Sequence, residues 1–167
     1  MKKALLYSIL LLFSFSCVES EEVIIPKELV GKWERDFTIE EDTYTVSFVF
    51  QNNGTYESFS VRTIQTEGLQ PGYLGYSKGK YSKREGRLVI SDIRSFYAED
   101  NSNPPNQTNL LKEQLEWIIP NEIAEFSLEE NNNLLVLTFL GCNDVRIPRE
   151  MANCAPPTPV GYTRVVE

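Results

Sequence analysis

Apolar and polar residues alternate in short segments along most of the chain, with the two-residue period of a β-strand. Residues 43–50 show this pattern clearly, because their even-numbered positions are aromatic or aliphatic while the odd-numbered ones are Thr, Ser or Val. The Asn-Asn-Gly turn at residues 52–54 predicts an antiparallel return over residues 55–64. Tyr56 and Phe59 fall on opposite parities within that return, which predicts a β-bulge.

Further β-prone segments follow, separated by turns rich in Gly and Asn. A longer loop is predicted over residues 68–75, which include a Pro-Gly pair. Two more hairpins and a last strand are predicted at residues 79–82 with 87–90, 124–128 with 134–140, and 160–166. Short strands at this spacing are typical of an antiparallel barrel or sandwich, so the predicted fold class is all-β.

Two regions interrupt the strand pattern. Residues 99–109 are almost entirely polar or Pro, a composition that predicts an exposed loop. Residues 110–118 carry apolar side chains at helical spacing, so they predict one short helix, with a strand as the alternative. Residues 141–159 contain four Pro and two Cys residues and predict a second long connection.

The N-terminal residues follow a different pattern. Lys2 and Lys3 precede an apolar run that is shorter than the ~20 residues of a membrane-spanning helix and is typical of a secretion signal. The run ends in Ser14-Phe15-Ser16-Cys17, which resembles the lipobox of bacterial lipoproteins. The resemblance implies cleavage before Cys17, a diacylglycerol thioether on its sulfur, and acylation of the new N-terminus. A plain signal peptide with an incidental Cys is the alternative.

These features divide the chain into a signal peptide at residues 1–16, a lipidated tether at 17–28 and one domain at 29–167. Residues 18–22, directly after Cys17, hold three carboxylates and no aromatic side chain, so this part of the tether is expected to be solvated. Acidic residues directly after a lipidated Cys resemble the tag with which some bacteria export lipoproteins to the cell surface. The expected location is the bacterial envelope, anchored to the outer membrane through the acyl chains, and the surface-exposed face is one option.

Charge and composition exclude several functions. Loss of the signal peptide leaves fourteen basic and twenty-four acidic residues, a net charge of −10 that disfavours nucleic acid as a partner. The chain has no His, so it holds no Ser-His-Asp triad, no Cys-His pair and no imidazole zinc ligand. The carboxylates at residues 40–42 are expected in a solvated turn. Residues 100–103 resemble a calcium-binding loop in composition, but the loop that they begin has no Gly at its sixth position and no Glu at its twelfth, so it is not an EF-hand. We therefore predict no enzyme, metal site or cofactor.

Cys142 and Cys154 are the two cysteines outside the lipobox. In an exported chain such a pair predicts a disulfide rather than a metal site with two ligands. A catalytic thiol is disfavoured because the chain has no His to act as its base.

Two motifs at the ends of the domain resemble those of the small lipocalin-like lipoproteins of bacterial envelopes. Gly31-Lys32-Trp33 opens the first predicted strand, as Gly-x-Trp does in that family, and Arg164 lies in the last strand. In lipocalins this Arg covers the Trp at the closed end of the barrel. The resemblance spans most of residues 29–166 and implies an antiparallel up-and-down β-barrel. It also implies that the Arg164 guanidinium lies within about 6 Å of the Trp33 ring centroid.

A lipocalin-like barrel would bind a small apolar or amphipathic molecule. The aromatic candidates to line its mouth are Tyr73, Tyr76, Tyr81, Phe96, Tyr97 and Trp117. The alternative is an inhibitor or adhesin that contacts another envelope protein through loops 99–109 and 141–159, with a barrel filled by side chains. A void inside the barrel would favour the binder, and an apolar patch on the loops would favour the interaction protein.

We expect Cys17→Ala to abolish lipid attachment, because the thioether needs the Cys17 sulfur. The variant should incorporate no labelled palmitate and should keep its signal peptide, which metabolic labelling and intact mass would both report. Cys142→Ala is the matched control and should be labelled like the unchanged protein. Equal labelling of Cys17→Ala and the control would refute the lipoprotein interpretation.

Overall fold

Nine β-strands and two short 3₁₀ turns make up the described part of this computed structural model, which covers residues 23–64, 67–115, 120–141 and 156–166. The 3₁₀ turns lie at Lys27–Leu29 and Thr108–Leu110. The strands are β1 (Gly31–Ile39), β2 (Asp42–Phe50), β3 (Thr55–Arg62), β4 (Gly72–Arg84), β5 (Arg87–Tyr97), β6 (Lys112–Glu113), β7 (Glu122–Glu129), β8 (Leu134–Phe139) and β9 (Val160–Val165). Each strand that the alternation predicts is present.

Eight of these strands close into an antiparallel up-and-down barrel. Their order around the barrel is β1-β2-β3-β4-β5-β7-β8-β9, and β9 returns to pair with β1. The two-residue strand β6 adds to the far end of β5. Closure gives each of these eight strands a paired neighbour on both sides and so shortens the free edges with which another chain could pair. The predicted all-β, up-and-down barrel is thus confirmed.

The Asn-rich turns form where the sequence places them. Between β2 and β3, the Asn53 side chain accepts hydrogen bonds from the Thr55 amide at 3.0 Å and the Thr55 hydroxyl at 2.7 Å. Gly54 beside it has a φ of 81°, which glycine adopts without steric cost. Between β7 and β8, Asn131 and Asn132 also have positive φ, a conformation that Asn tolerates better than most residues.

The predicted β-bulge between Tyr56 and Phe59 is wrong. β3 pairs with β2 without interruption, and Phe59 points out of the barrel, where the Tyr76 ring stacks on it with centroids 5.2 Å apart. The register of β3 shifts instead against β4, between Ser60 and Val61. Phe59 differs in parity from Tyr56 because it faces outward, where its cross-strand neighbour Tyr76 covers it.

Two predicted boundaries also differ. The loop predicted over residues 68–75 is shorter, because β4 already begins at Gly72. A helix is predicted over residues 110–118, but residues 110–115 form none. The short strand β6 lies there and pairs with the end of β5. The strand alternative holds only for Lys112–Glu113, since Leu110 ends a 3₁₀ turn, and residues 116–118 lie outside the described residues.

One end of the barrel is sealed by a packed core. Every second residue of each strand faces inward, so the aromatic and aliphatic positions of the alternation meet inside. The largest fully buried side chains are Trp33, Tyr81, Phe50, Leu29, Leu88, Ile90, Leu135 and Leu137. The N-terminal 3₁₀ turn contributes Leu29 to this cluster and thereby covers the opening between the strands.

Arg164 and Trp33 lie side by side at this sealed end. They are register partners on β9 and β1, and the Arg164 guanidinium carbon is 4.2 Å from the Trp33 ring centroid. The guanidinium donates to the carbonyl oxygens of Asn132 at 3.0 Å, Val30 at 3.1 Å and Glu28 at 2.8 Å. Trp33 Nε1 donates a hydrogen bond to the carbonyl oxygen of Leu29, in the 3₁₀ turn, at 2.7 Å. The contact that the lipocalin resemblance implies is therefore present.

We expect substitutions in this contact to lower the free energy of unfolding. Trp33→Ala should cost roughly 3–5 kcal/mol, because it leaves a large buried cavity. Arg164→Lys should cost about 2 kcal/mol, because an ammonium cannot reach the three carbonyls and cover the indole at once. Urea denaturation followed by circular dichroism measures both. Arg87→Lys, at an exposed position, is the control, and an Arg164→Lys cost equal to the control would contradict the proposed role.

Candidate functional site

The middle of the barrel is hollow above the sealed end. The cavity there has a volume of about 400 Å³. Packed protein interiors contain few voids larger than a single water, whose share of liquid volume is about 30 Å³. Small-molecule sites typically occupy roughly 300–1,000 Å³. The cavity is therefore of ligand size and is too large to be a packing defect.

Six strands contribute inward-facing side chains to this cavity. They are Phe48 from β2, Tyr56 and Ser58 from β3, Ser77 from β4, Ile93 and Ser95 from β5, Glu122 from β7, and Phe139 from β8. The apolar members are aromatic or β-branched, and the polar ones are hydroxyls and one carboxylate. The cavity wall is thus amphipathic.

Small residues at one level of the barrel create the space. Ser58, Ser77 and Ser95 are consecutive register partners across β3, β4 and β5. In register with this row, the bulky Phe48 on β2 is opposite Ser58. Three serines in a row therefore leave one side of the barrel unfilled. Ser77 Oγ and Ser95 Oγ lie 2.9 Å apart and form a hydrogen bond on this wall.

Glu122 gives the cavity a carboxyl group with altered acidity. Burial raises the pKa of Glu122 above its ordinary value of 4.5. Burial also raises the pKa of Tyr56, and the Glu122 charge raises it further. The pKa of Tyr162 is raised by burial and by Glu122, while Arg35 acts in the opposite direction. The Glu122 carboxylate thus acts on the pKa of two tyrosines, Tyr56 and Tyr162, in the barrel interior.

Arg62 fastens two connections at the end of the barrel opposite Trp33. This buried side chain donates from Nη1 to the carbonyl oxygens of Asn101 at 2.7 Å and Gln70 at 3.2 Å. Its guanidinium lies 5.7 Å from the Tyr44 ring centroid, and its Nε is 3.9 Å from Asp42 Oδ2. The loop after β5 and the β3–β4 connection are thereby held together at the rim. Asp42, one of the three carboxylates at residues 40–42, thus forms an ion pair with Arg62.

The aromatic residues proposed from the sequence are not gathered around the cavity. Tyr73, Tyr76 and Phe96 form a ladder of rings with Phe59 on the outer face of β3, β4 and β5. Tyr81 lies in the sealed core at 2% exposure, and Tyr97 lies at the opposite rim at 41% exposure. Trp117 lies outside the described residues.

Parity explains why the aromatic set differs from the cavity lining. Aromatic content does not tell which face of a strand a side chain occupies, and the register shifts between β3 and β4 and between β4 and β5. The register runs from Trp33 to Phe48 and then across β3, β4 and β5 to Ser58, Ser77 and Ser95. The signal that could have revealed the site is therefore a row of small residues at inward positions, and this row emerges only once the pairing is known.

The cysteine predictions concern residues outside those described. Cys17, Cys142 and Cys154 all fall there, so lipid attachment and the disulfide stay predictions. Within the described ranges, no group of three or more Asp, Glu or Cys side chains is arranged to hold a metal ion. The same ranges contain no helix that is both long and apolar enough to cross a membrane.

Comparison of the chain with models of protein families, with curated proteins and with solved structures gives no match.

We expect Glu122→Gln to raise the melting temperature near neutral pH and to lose that effect in acid. The folded-state pKa of Glu122 is raised above 4.5, so ionisation costs more in the folded than in the unfolded chain. This group's contribution to stability therefore falls as pH rises from about the unfolded pKa through the folded pKa. Gln has no such cost, and thermal denaturation across this pH range measures the difference.

The control for this experiment is Glu125→Gln, which changes an exposed carboxylate on the same strand. Its effect should not follow the same pH profile, because Glu125 faces solvent. A melting-temperature difference for Glu122→Gln that stays constant with pH would contradict the raised pKa.

Proposed function

We propose that the protein is a lipoprotein of the bacterial envelope whose barrel binds a small amphipathic molecule. The observation that supports this proposal is the ligand-sized cavity above a sealed end. A barrel used only as a scaffold for its loops would be filled by side chains, as small barrels often are. The hollow interior thus favours a binder over the alternative of an inhibitor or adhesin.

The lining indicates the kind of molecule that fits. Phe48, Ile93 and Phe139 offer apolar surface for a hydrocarbon or ring system. The Ser77 and Ser95 hydroxyls on the other wall can exchange their mutual hydrogen bond for bonds to a hydroxyl or amide of the ligand. The ligand class that we propose therefore combines an apolar body with at least one uncharged polar group.

The direction of access follows from the sealed end. Trp33, Arg164 and the 3₁₀ turn block one end, so the ligand enters from the rim near Arg62. The residues before β1 run along the sealed end, where Ile24 pairs with Lys83. The tether therefore leaves the barrel at the end remote from the mouth.

This arrangement suits an anchor at Cys17. The six residues from Cys17 to Glu22 span at most about 22 Å when extended. Acyl chains on Cys17 would hold the sealed end near the membrane and leave the mouth free to face the aqueous side. Two or three chains suffice for stable anchoring, whereas one is marginal. The same proposal places the protein at the outer membrane, and it requires no catalysis.

We expect Ser77→Trp to prevent ligand binding, because the indole would fill the cavity from the serine wall. Native mass spectrometry of protein extracted from its own envelope should show a co-purifying small molecule on the unchanged protein and none on Ser77→Trp. Ser127→Trp places the same side chain on the exposed outer face of β7 and should retain the molecule. Ser95→Phe is a second filling variant, and circular dichroism verifies that each variant folds.

The binder proposal fails if the unchanged protein carries no small molecule, or if both filling variants retain it while folded.

A further inference from the structure

A second concave surface lies on the outside of the barrel, along β2. The outward side chains of this strand are the small residues Thr45, Ser47 and Val49, and larger side chains of β1 and β3 rise on both sides. The resulting groove, which we name the outer trench, is open to solvent and has a volume of about 560 Å³. It lies on the opposite face of β2 from the lumen and does not share its lining.

Ser47 marks the floor of the outer trench. Its register partners are Glu34 on β1 and Phe59 on β3, so one carboxylate and one aromatic ring flank it. Ser47 is only 6% exposed, although it points away from the barrel interior. Its hydroxyl has no hydrogen-bond partner among the described residues and faces the trench. The Ser47 hydroxyl reaches solvent through the trench, where a polar group of a ligand can take the place of water.

The two walls of the outer trench differ in chemistry. The β1 wall carries Lys32 Nζ, 2.6 Å from Glu34 Oε1, and Asp36, whose Oδ1 accepts a hydrogen bond from Thr45 at 2.5 Å. The β3 side carries the Phe59 and Tyr73 rings, with centroids 6.2 Å apart. These rings continue into the stack formed with Tyr76 and Phe96, which holds them in place.

Several classes of occupant conflict with these walls. An extended peptide cannot add to β2 as a strand, because both edges of β2 are already paired. A nucleic acid is disfavoured because Lys32 is outnumbered by Glu34 and Asp36, and the whole chain is acidic. A fully apolar molecule would desolvate the charged wall without compensating hydrogen bonds.

We propose that the outer trench binds a neutral oligosaccharide. A sugar ring has an apolar C–H face, which can stack on Phe59 and Tyr73, and a rim of hydroxyls that donate and accept hydrogen bonds. The carboxylates of Glu34 and Asp36 accept from such hydroxyls in charge-assisted bonds, and Lys32 donates to them. Ser47 then gains a partner at the floor. A linear sugar chain also fits a groove that runs along a strand.

The test is calorimetric titration of the full mature protein in nanodiscs with linear neutral oligosaccharides of glucose, mannose and N-acetylglucosamine. We expect at least one of these probes to bind. Ser47→Tyr, which blocks the floor, and Phe59→Ala, which removes a stacking ring, should each weaken that binding about tenfold or more. Ser127→Tyr adds the same bulk on the outer face of β7 and should leave the affinity unchanged.

The lumen variant Ser77→Trp separates this proposal from binding inside the barrel. Its sugar affinity should equal that of the unchanged protein, because Ser77 faces the internal cavity. The proposal is overturned if none of the three probes binds. It is equally overturned if Ser77→Trp abolishes binding while Ser47→Tyr does not, because the sugar would then occupy the lumen.

Discussion

The contact between the Arg164 guanidinium and the Trp33 indole joins the two ends of the domain, and the rest of the barrel depends on it. The β1–β9 seam is short, since it pairs only Lys32 to Glu34 with Thr163 to Val165. Arg164 reinforces the seam through carbonyl groups from the 3₁₀ turn, the start of β1 and the β7–β8 turn. One side chain thereby closes the ring of strands and caps its core.

A sealed end makes the hollow above it usable. If the core continued upward at the same density, the barrel would be a scaffold without an interior site. The serines on β3, β4 and β5 interrupt that density at one level, while Phe48 and Phe139 keep the opposite side apolar. The cavity thus arises from a local change in side-chain volume within an otherwise regular barrel.

Alternation lets one strand serve two surfaces. Phe48 lines the lumen, and its neighbour Ser47 forms the floor of the outer trench. The two sites are separated by the thickness of the sheet, so a substitution in one need not disturb the other. The aromatic ladder of Phe59, Tyr73, Tyr76 and Phe96 on the outer face of the barrel gives the outer trench its second wall.

The sequence by itself determined the strands and the hairpins, because alternation and Asn-Gly turns are local signals. The contact between Trp33 and Arg164 is what the resemblance to lipocalins implies, and the structure contains it. Tertiary structure alone decided which side chains share a site, because that depends on register across strands distant in the chain. Parity alone predicts a bulge at Phe59, and aromatic content alone predicts Tyr73, Tyr76 and Phe96 at a ligand mouth. Pairing places all four side chains on the outside of the barrel. The serine row and the floor at Ser47 carry no local signal, since a small polar residue in a strand is ordinary until its neighbours are known.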